Sequence, residues 1–326
     1  MKHISLVIPE GESSLSNIEA SYKIFTWVNE ALQREGNAPL FKIVLVGLNQ
    51  RTTITSGLFT IKPQTTIKEV KKTDLIIIPA VHGDARKVVA DNRPLARWIS
   101  SRYAEGAEVV SLCIGAFILA STGLIAGKNC TTHWLSADEF RQMFPEVNLA
   151  PYKVLTDESG IYTSGGAYSS LNLLLYLVEK FAGREIAILA SKTFEIDIDR
   201  YSQSPFIMFH GQKEHEDDSV KKAQEYIEDN FRERITVDQL AAMFALSRRS
   251  LERRFKRATS NTVIEYIQRV KVEAAKKSFE SSRKNISEIM YEIGYSDNKA
   301  FRGTFKKFTG LSPVDYRNKY AQLAHH

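Results

Sequence analysis

Apolar positions in the first two hundred residues fall into short unbroken runs, separated by stretches of helical period. The runs are ISLVIP from Ile4, FKIVLVGL from Phe41, DLIIIP from Asp74, AEVVSL from Ala107, and the segment from Ile161 to Ser164. Runs of this length, rich in Val and Ile, predict strands buried on both faces. The amphipathic stretches between them, such as Ile18 to Leu32, predict the covering helices. Strand and helix in alternation imply an α/β domain of flavodoxin-like type, with a mainly parallel sheet and helices on both faces. The run LNLLLYLV, residues 171 to 178, reads as a helix packed on that sheet, with a dimerisation face as the alternative.

The pattern changes after GQKEHEDDS, residues 211 to 219, which is polar, acidic and without apolar period. Such a stretch predicts a linker, and with it two domains, 1–210 and 220–326. Beyond the linker strand signals vanish and helical period runs nearly to the end. An internal repeat lies there. Val237, Leu240, Ala241, Phe244 and Leu246 recur as Ile286, Ile289, Met290, Ile293 and Tyr295, offset by 49 positions, and Leu251 and Phe255 recur as Phe301 and Phe305, offset by 50. Each copy reads as a short helix, a tight turn and a second helix. Thr236 and Ser247 are the expected caps in the first copy, and Gly294 eases the turn of the second. A continuous helical pattern from Val263 to Phe279 joins the copies, and its length of about 25 Å would set the two second helices near one DNA turn apart. The C-terminal domain is therefore expected to be all-α, with two helix-turn-helix motifs.

Charge sharpens this picture. Residues 219 to 326 hold 22 Lys+Arg against 13 Asp+Glu, a balance of +9, whereas residues 1 to 218 hold 22 against 25, a balance of −3. A positive field concentrated on the helical third suits double-stranded DNA, because counterion release supplies much of nucleic-acid affinity. The helical period also picks out the faces. With Leu251 and Phe255 inward, Arg248, Arg249, Glu252, Arg253 and Lys256 point outward. With Phe301, Phe305 and Phe308 inward, Asn298, Lys299, Arg302 and Lys306 do so. Arg pairs bidentately with guanine, Asn with adenine, and Glu accepts from cytosine, so these faces can read base edges. Lys256, Lys306 and Lys307, near the helix ends, suit phosphates. The alternative is a helical bundle with solvated charged faces.

Residues 220 to 320, from ITVDQLAAMFALSRRSLERRFKRATSNTVIEYIQRVKVEAAKKSF to NISEIMYEIGYSDNKAFRGTFKKFTGLSPVDYRNKY, closely resemble the AraC/XylS transcription-regulator domain. The resemblance implies that the helices beginning at Ser247 and Asp297 enter successive major-groove segments. It also marks a departure, since Gly303 stands where an Arg is common. A glycine inside a helix costs about 1 kcal/mol relative to alanine. The first unit is therefore expected to carry more of the sequence discrimination.

In the first domain, EVVSL followed by Cys113-Ile114-Gly115-Ala116 reads as a strand, a sharp turn and a helix. This sets the Cys113 thiol at the carboxyl edge of the sheet near a helix N-terminus, where a lowered thiol pKa is expected. His133 is a candidate base beside it, and backbone amides near Gly83 and Ile114 a candidate anion or oxyanion hole. The expected ligand pocket is thus Gly83, Cys113, Ile114 and His133. Residues 3 to 207 resemble the class I glutamine amidotransferase-like, ThiJ/PfpI superfamily, and the two halves together resemble the GlxA-type branch of AraC regulators, where this fold serves as a sensing domain. Enzymes of the superfamily carry an acidic residue near the end of the first helical entry. Here SSLSNIEAS offers Ser16 near that position, with Glu19 three residues off. Thiol and imidazole without an orienting carboxylate make a poor general-base system. A non-catalytic pocket is therefore expected. A thiol-dependent amidase or isonitrile-hydratase-like enzyme carrying a DNA-binding module is the alternative, and a simple core role for Cys113 and His133 stands beside both.

Cys113 and Cys130 have no metal-ligand spacing and are expected to be free thiols, with no metal or cofactor in the molecule. The apolar run Ile4 to Ile8 is too short for a signal-peptide core or a membrane span, so the chain reads as cytoplasmic with no membrane partner. The partners expected are promoter or operator DNA, a small-molecule effector or redox signal, RNA polymerase, and, by the superfamily resemblance, a second copy in a homodimer.

Overall fold

Each of the five apolar runs read as strands forms one: β1 (Lys2–Ile8), β2 (Phe41–Gly47), β4 (Leu75–Ile78), β5 (Glu108–Ser111) and β7 (Ile161–Ser164), joined by β3 (Thr65–Thr66) and β6 (Leu155–Glu158). They make one seven-stranded sheet in the order β6-β7-β5-β4-β1-β2-β3, parallel throughout except for β6, which runs antiparallel to β7 at the edge. The structure, a computed structural model, describes residues 1–54, 56–198, 200, 202–213 and 215–321. His325 and His326, noted in the sequence as a native or added end, lie outside them.

Successive strand side chains alternate between two cores, as the two-residue period of a strand requires. Leu75 and Ile77 face a core shared with α1 (Leu15–Arg34), α6 (Ser169–Ala182) and α7 (Arg184–Phe194). Ile76 and Ile78 face the other, covered by α2 (Ala85–Asp91), α3 (Arg93–Ala104), α4 (Ala116–Ser121) and α5 (Ala137–Met143). Burial on both faces explains why these strands read as unbroken apolar runs. Leu173, Leu174, Leu175, Leu177 and Val178 of α6 are buried in the first core, so LNLLLYLV is a sheet-covering helix. The chain runs outward to β2 and β3 on one side of β1, then returns to β4 on the other. This reversal places a crevice at the carboxyl ends of β1 and β4, the usual ligand position in such sheets.

The second unit begins earlier than the polar stretch suggested. The chain divides into Met1–Gln203 and Ser204–His326, and the described residues of the expected linker 211–219 belong to the helical unit. Phe209 packs in its first core, Gln212 and His215 bond to Gln224, and Asp217 caps α8 (Asp218–Asp229). The boundary expected at residue 210 therefore moves to 203, because the charges that looked solvated have partners distant in sequence.

Six further helices follow: α9 (Val237–Met243), α10 (Arg248–Thr259), α11 (Val263–Ser281), α12 (Ile286–Glu292), α13 (Asn298–Thr309) and α14 (Pro313–Tyr320). Capping boxes, Thr236 with Gln239 and Asn285 with Glu288, start the first helix of each motif. Ser247 and Asp297 cap the second. The duplication is larger than the two motifs. Val220, Ala223 and Ile227 of α8 recur in the second core as Val272, Ala275 and Phe279, and the Tyr266 hydroxyl on Glu228 recurs as the Tyr316 hydroxyl on Glu280. α11 thus serves as the last helix of one four-helix half and the first of the next. Gly294, at φ +75°, closes the second motif's turn against the first half: a Cβ there would lie 2.0 Å from the Arg232 carbonyl oxygen, and Lys271 of α11 donates to the Gly294 carbonyl. Among the described residues no helix is long and apolar enough to cross a membrane.

Candidate functional site

The second helices of the two motifs share one pattern of exposure. Along α10, Leu251, Phe255 and Thr259 are buried, while Arg248, Arg249, Glu252, Arg253 and Lys256 are exposed. Along α13, Phe301, Phe305 and Thr309 are buried, and Asn298, Lys299, Arg302 and Lys306 are exposed. The inward assignment from helical period holds for Leu251, Phe255, Phe301 and Phe305, and the outward one for the exposed residues named, while Phe308 is only half-buried. What the outward groups do differs. Arg248 reaches Asp238 at 3.1 Å and Glu252 at 3.2 Å, so two of the five outward groups on α10 are engaged with each other. Arg249 and Arg253 have no ion pair among the described residues. On α13 the residue in the register of Arg253 is Gly303, and beyond its chain neighbours and its own helix backbone no atom lies within 4 Å of where its Cβ would stand. Asn298, Lys299, Arg302, Gly303 and Lys306 consequently line a shallow groove of about 650 Å³. Lys307 leans back toward Glu265 at 3.9 Å, leaving Lys299, Arg302 and Lys306 as the outward cations of this helix.

The turn after β5 holds Cys113 at φ +55°, a left-handed conformation that costs a non-glycine residue about 1–3 kcal/mol. Its neighbours enforce it. The Cys113 amide donates to Ser164 Oγ, and Thr132 Oγ1 donates to the Cys113 carbonyl. At Gly115 a Cβ would lie 2.6 Å from the Pro79 carbonyl oxygen, so only glycine lets the turn pass the end of β4 this closely. The amides of Ile114 and Ala167 point at the sulfur and favour its thiolate, but burial outweighs them and pushes the thiol pKa up. This reverses the lowered pKa expected from the elbow position: a thiol only 4% exposed loses more in desolvation than the nearby amides return.

His133 lies against the same loop, since a Cβ on Gly166 would fall 2.4 Å from its ring. Burial, then the proximity of His82, pushes its pKa down, so the ring is neutral near pH 7. Its Nδ1 accepts from the Leu135 amide at 3.1 Å, which leaves the proton on Nε2. A neutral ring with one nitrogen accepting and the other protonated has no lone pair for a thiol, and no hydrogen bond joins Cys113 to His133 among the described residues. Gly83, at φ +118°, is exposed in the bend before α2, with its neighbour His82 on the side of His133.

The residue at the helical entry that sequence reasoning missed is Asn17. Ser16 is exposed, and Glu19 pairs with Lys23 on the surface. Asn17 is 5% exposed, accepts from the Ala80 amide and donates to Ser170 Oγ, so the first turn of α1 presents an amide at the mouth of the crevice. Its place on the buried stripe Asn17, Ser21, Phe25 and Val28 was the available signal. An amide holds neither a proton to give nor a charge to orient an imidazole. Cys130 is fully buried, its thiol pushed up to about 12, and it packs as core. Alkylation of Cys113 by iodoacetamide in a Cys130→Ala chain is expected to stay slow at neutral pH and to climb only above the ordinary thiol range near about 8.5. A fast reaction already level at pH 6–7 would contradict the buried, unactivated thiol.

Residues 25–180 match the DJ-1/PfpI family, and residues 240–319 match a helix-turn-helix domain. The HTH-type transcriptional regulator GbdR of Pseudomonas aeruginosa is 23% identical over 285 residues, covering 85% of this chain and 75% of that regulator. The HTH-type transcriptional regulator GlxA of Rhizobium meliloti is 22% identical and covers 66% of each. An isonitrile hydratase of Pseudomonas putida is 29% identical over 136 residues, covering 41% of this chain and 57% of the hydratase. Among solved structures, a THiJ/PfpI family protein from Pseudomonas syringae superposes with a TM-score of 0.50 at 18% identity, covering 75% of this chain and 90% of that one.

Proposed function

Because this chain joins a DJ-1/PfpI-family domain to an AraC-type double helix-turn-helix domain, we infer that it is a sequence-specific transcription regulator that binds double-stranded DNA through α10 and α13 and is controlled at its first domain. The observation that carries this reading is the duplicated four-helix unit, with two capped helices that expose Arg, Lys and Asn on equivalent faces. Arg249, Arg253, Asn298 and Arg302 read base edges, while Lys256, Lys299 and Lys306 meet phosphates. Arg248 and Glu252 join them once Arg248 leaves Asp238.

The first domain is a non-catalytic pocket around Cys113, Ile114, His133 and the bend at Gly83. The raised thiol pKa and the amide of Asn17 weigh against turnover, and the same burial favours a small molecule over a redox signal. The likeness to an isonitrile hydratase supports a thiol enzyme as a second reading. Turnover of an isonitrile or amide by the full chain, lost in Cys113→Ser, would establish it. A homodimer, RNA polymerase as a further partner and a cytoplasmic site of action belong to the regulator reading.

Selection of bound duplexes from a random pool tests it. The expected result is one enriched motif in two parts, centred about 10 base pairs apart. A pool that stays unenriched after several rounds at fixed salt would overturn the reading.

A further inference from the structure

The last residue of the first unit, Gln203, is 2% exposed and is bonded on every side. Its Nε2 lies 3.1, 3.0 and 2.9 Å from the carbonyl oxygens of Thr132, Pro151 and Lys153, and its Oε1 accepts from the Gly166 amide at 2.7 Å. A Cβ on Gly165 would lie 2.1 Å from the Gln203 amide carbon, so glycine is what admits the side chain here. Two of these three segments carry the elbow pocket, one ending in His133 and the other bringing the Ala167 amide to Cys113.

The next residue, Ser204, begins a segment tied to the helical unit at several of its described residues. Lys276 donates to the Ile207 carbonyl at 2.7 Å, and the Phe209 ring packs edge-on against Tyr266 at 5.0 Å. Gln224 donates to the Gln212 carbonyl at 2.9 Å. The segment ends at Asp217, whose carboxylate receives two bonds, at 2.8 and 2.6 Å, from Arg254 on α10. Within the helical unit these anchors join the start of the segment to α10.

We propose that Gln203 and the 204–217 strap are the positioning link between the pocket and the first reading helix, so that displacement of the pocket loops shifts Arg254 and with it the face of α10. The proposal rests on the reading of the first unit as a sensing domain. Its physical basis is that moving Gly166 away from Gln203 would leave a buried amide oxygen without a donor, so loop and glutamine move together. A pocket occupant can then bias α10 by the difference in its affinity for the two loop positions.

The test uses the full chain and the duplex recovered by selection. Gln203→Met keeps the shape and removes the hydrogen bonds. Asp217→Asn keeps the cap on the Val220 amide and removes the ion pair. Each is expected to weaken binding to the selected duplex by about fivefold or more, to leave binding to a scrambled duplex unchanged, and to hasten hydrogen exchange in 248–259. The double variant is expected to be no weaker than the weaker single, as coupled sites behave. Folded Gln203→Met chains with unaltered affinity and unaltered exchange in α10, or losses that add in full, would overturn the link while leaving the regulator reading intact. Equal affinity of the unaltered chain for selected and scrambled duplexes would overturn both. Should Gln203→Met not fold, Gln203→Asn, which shortens the side chain and keeps the amide, carries the same comparison.

Discussion

Arg253→Ala is expected to weaken binding to the selected duplex by about 1–3 kcal/mol, and by more than Arg302→Ala does. Arg253 is exposed on the outward face of α10 and has no carboxylate partner among the described residues to give up before it meets a base. Arg248 must first leave Asp238 and Glu252, so part of its gain is offset. On α13 the register of Arg253 is held by Gly303, and the ridge that an arginine would make is a groove instead. Arg302 stands in the register of Glu252, at a different angle on the helix. Titrating both variants against the selected duplex and single-base variants of it distinguishes them. A larger loss of affinity and discrimination from Arg302→Ala would place the main reading residue on the second motif.

Phe305→Ala is expected to cost about 3–5 kcal/mol of stability, the range for emptying a large aromatic site in a core. The ring is fully buried and meets Phe279, Phe301 and Tyr316, each at an edge-on angle. It therefore joins α11, α13 and α14, and its loss frees the second reading helix from its support. Urea unfolding followed by circular dichroism measures this. A loss below about 1 kcal/mol would mean the second half does not depend on this core.

The sheet was legible because both of its faces are covered, which turns strands into unbroken apolar runs. β3 and β6 were not, since TT and LTDE sit toward the edges and carry polar residues. The two motifs were legible from one repeated apolar pattern, but the full duplication was not: its first helix recurs at an offset of 52 positions, against 49 and 50 for the others, as changes in turn length shift each element. Residues 211–219 read as a linker because their charges find partners far along the chain, Asp217 on Arg254 and Lys213 on Glu228. At the elbow, the turn and its cysteine could be read from the residues. The thiol's protonation could not, because burial in the folded core sets it, and Asn17 was passed over for its neighbour Ser16 by one residue of helical register.

The most direct measurement is the affinity of the full chain for the selected and a scrambled duplex of equal length across a range of salt. The account predicts that both fall with salt as counterion release requires, and that the selected duplex stays about a thousandfold or more tighter at physiological ionic strength. Two affinities that fall together and remain equal would show a basic surface that attracts DNA without reading it.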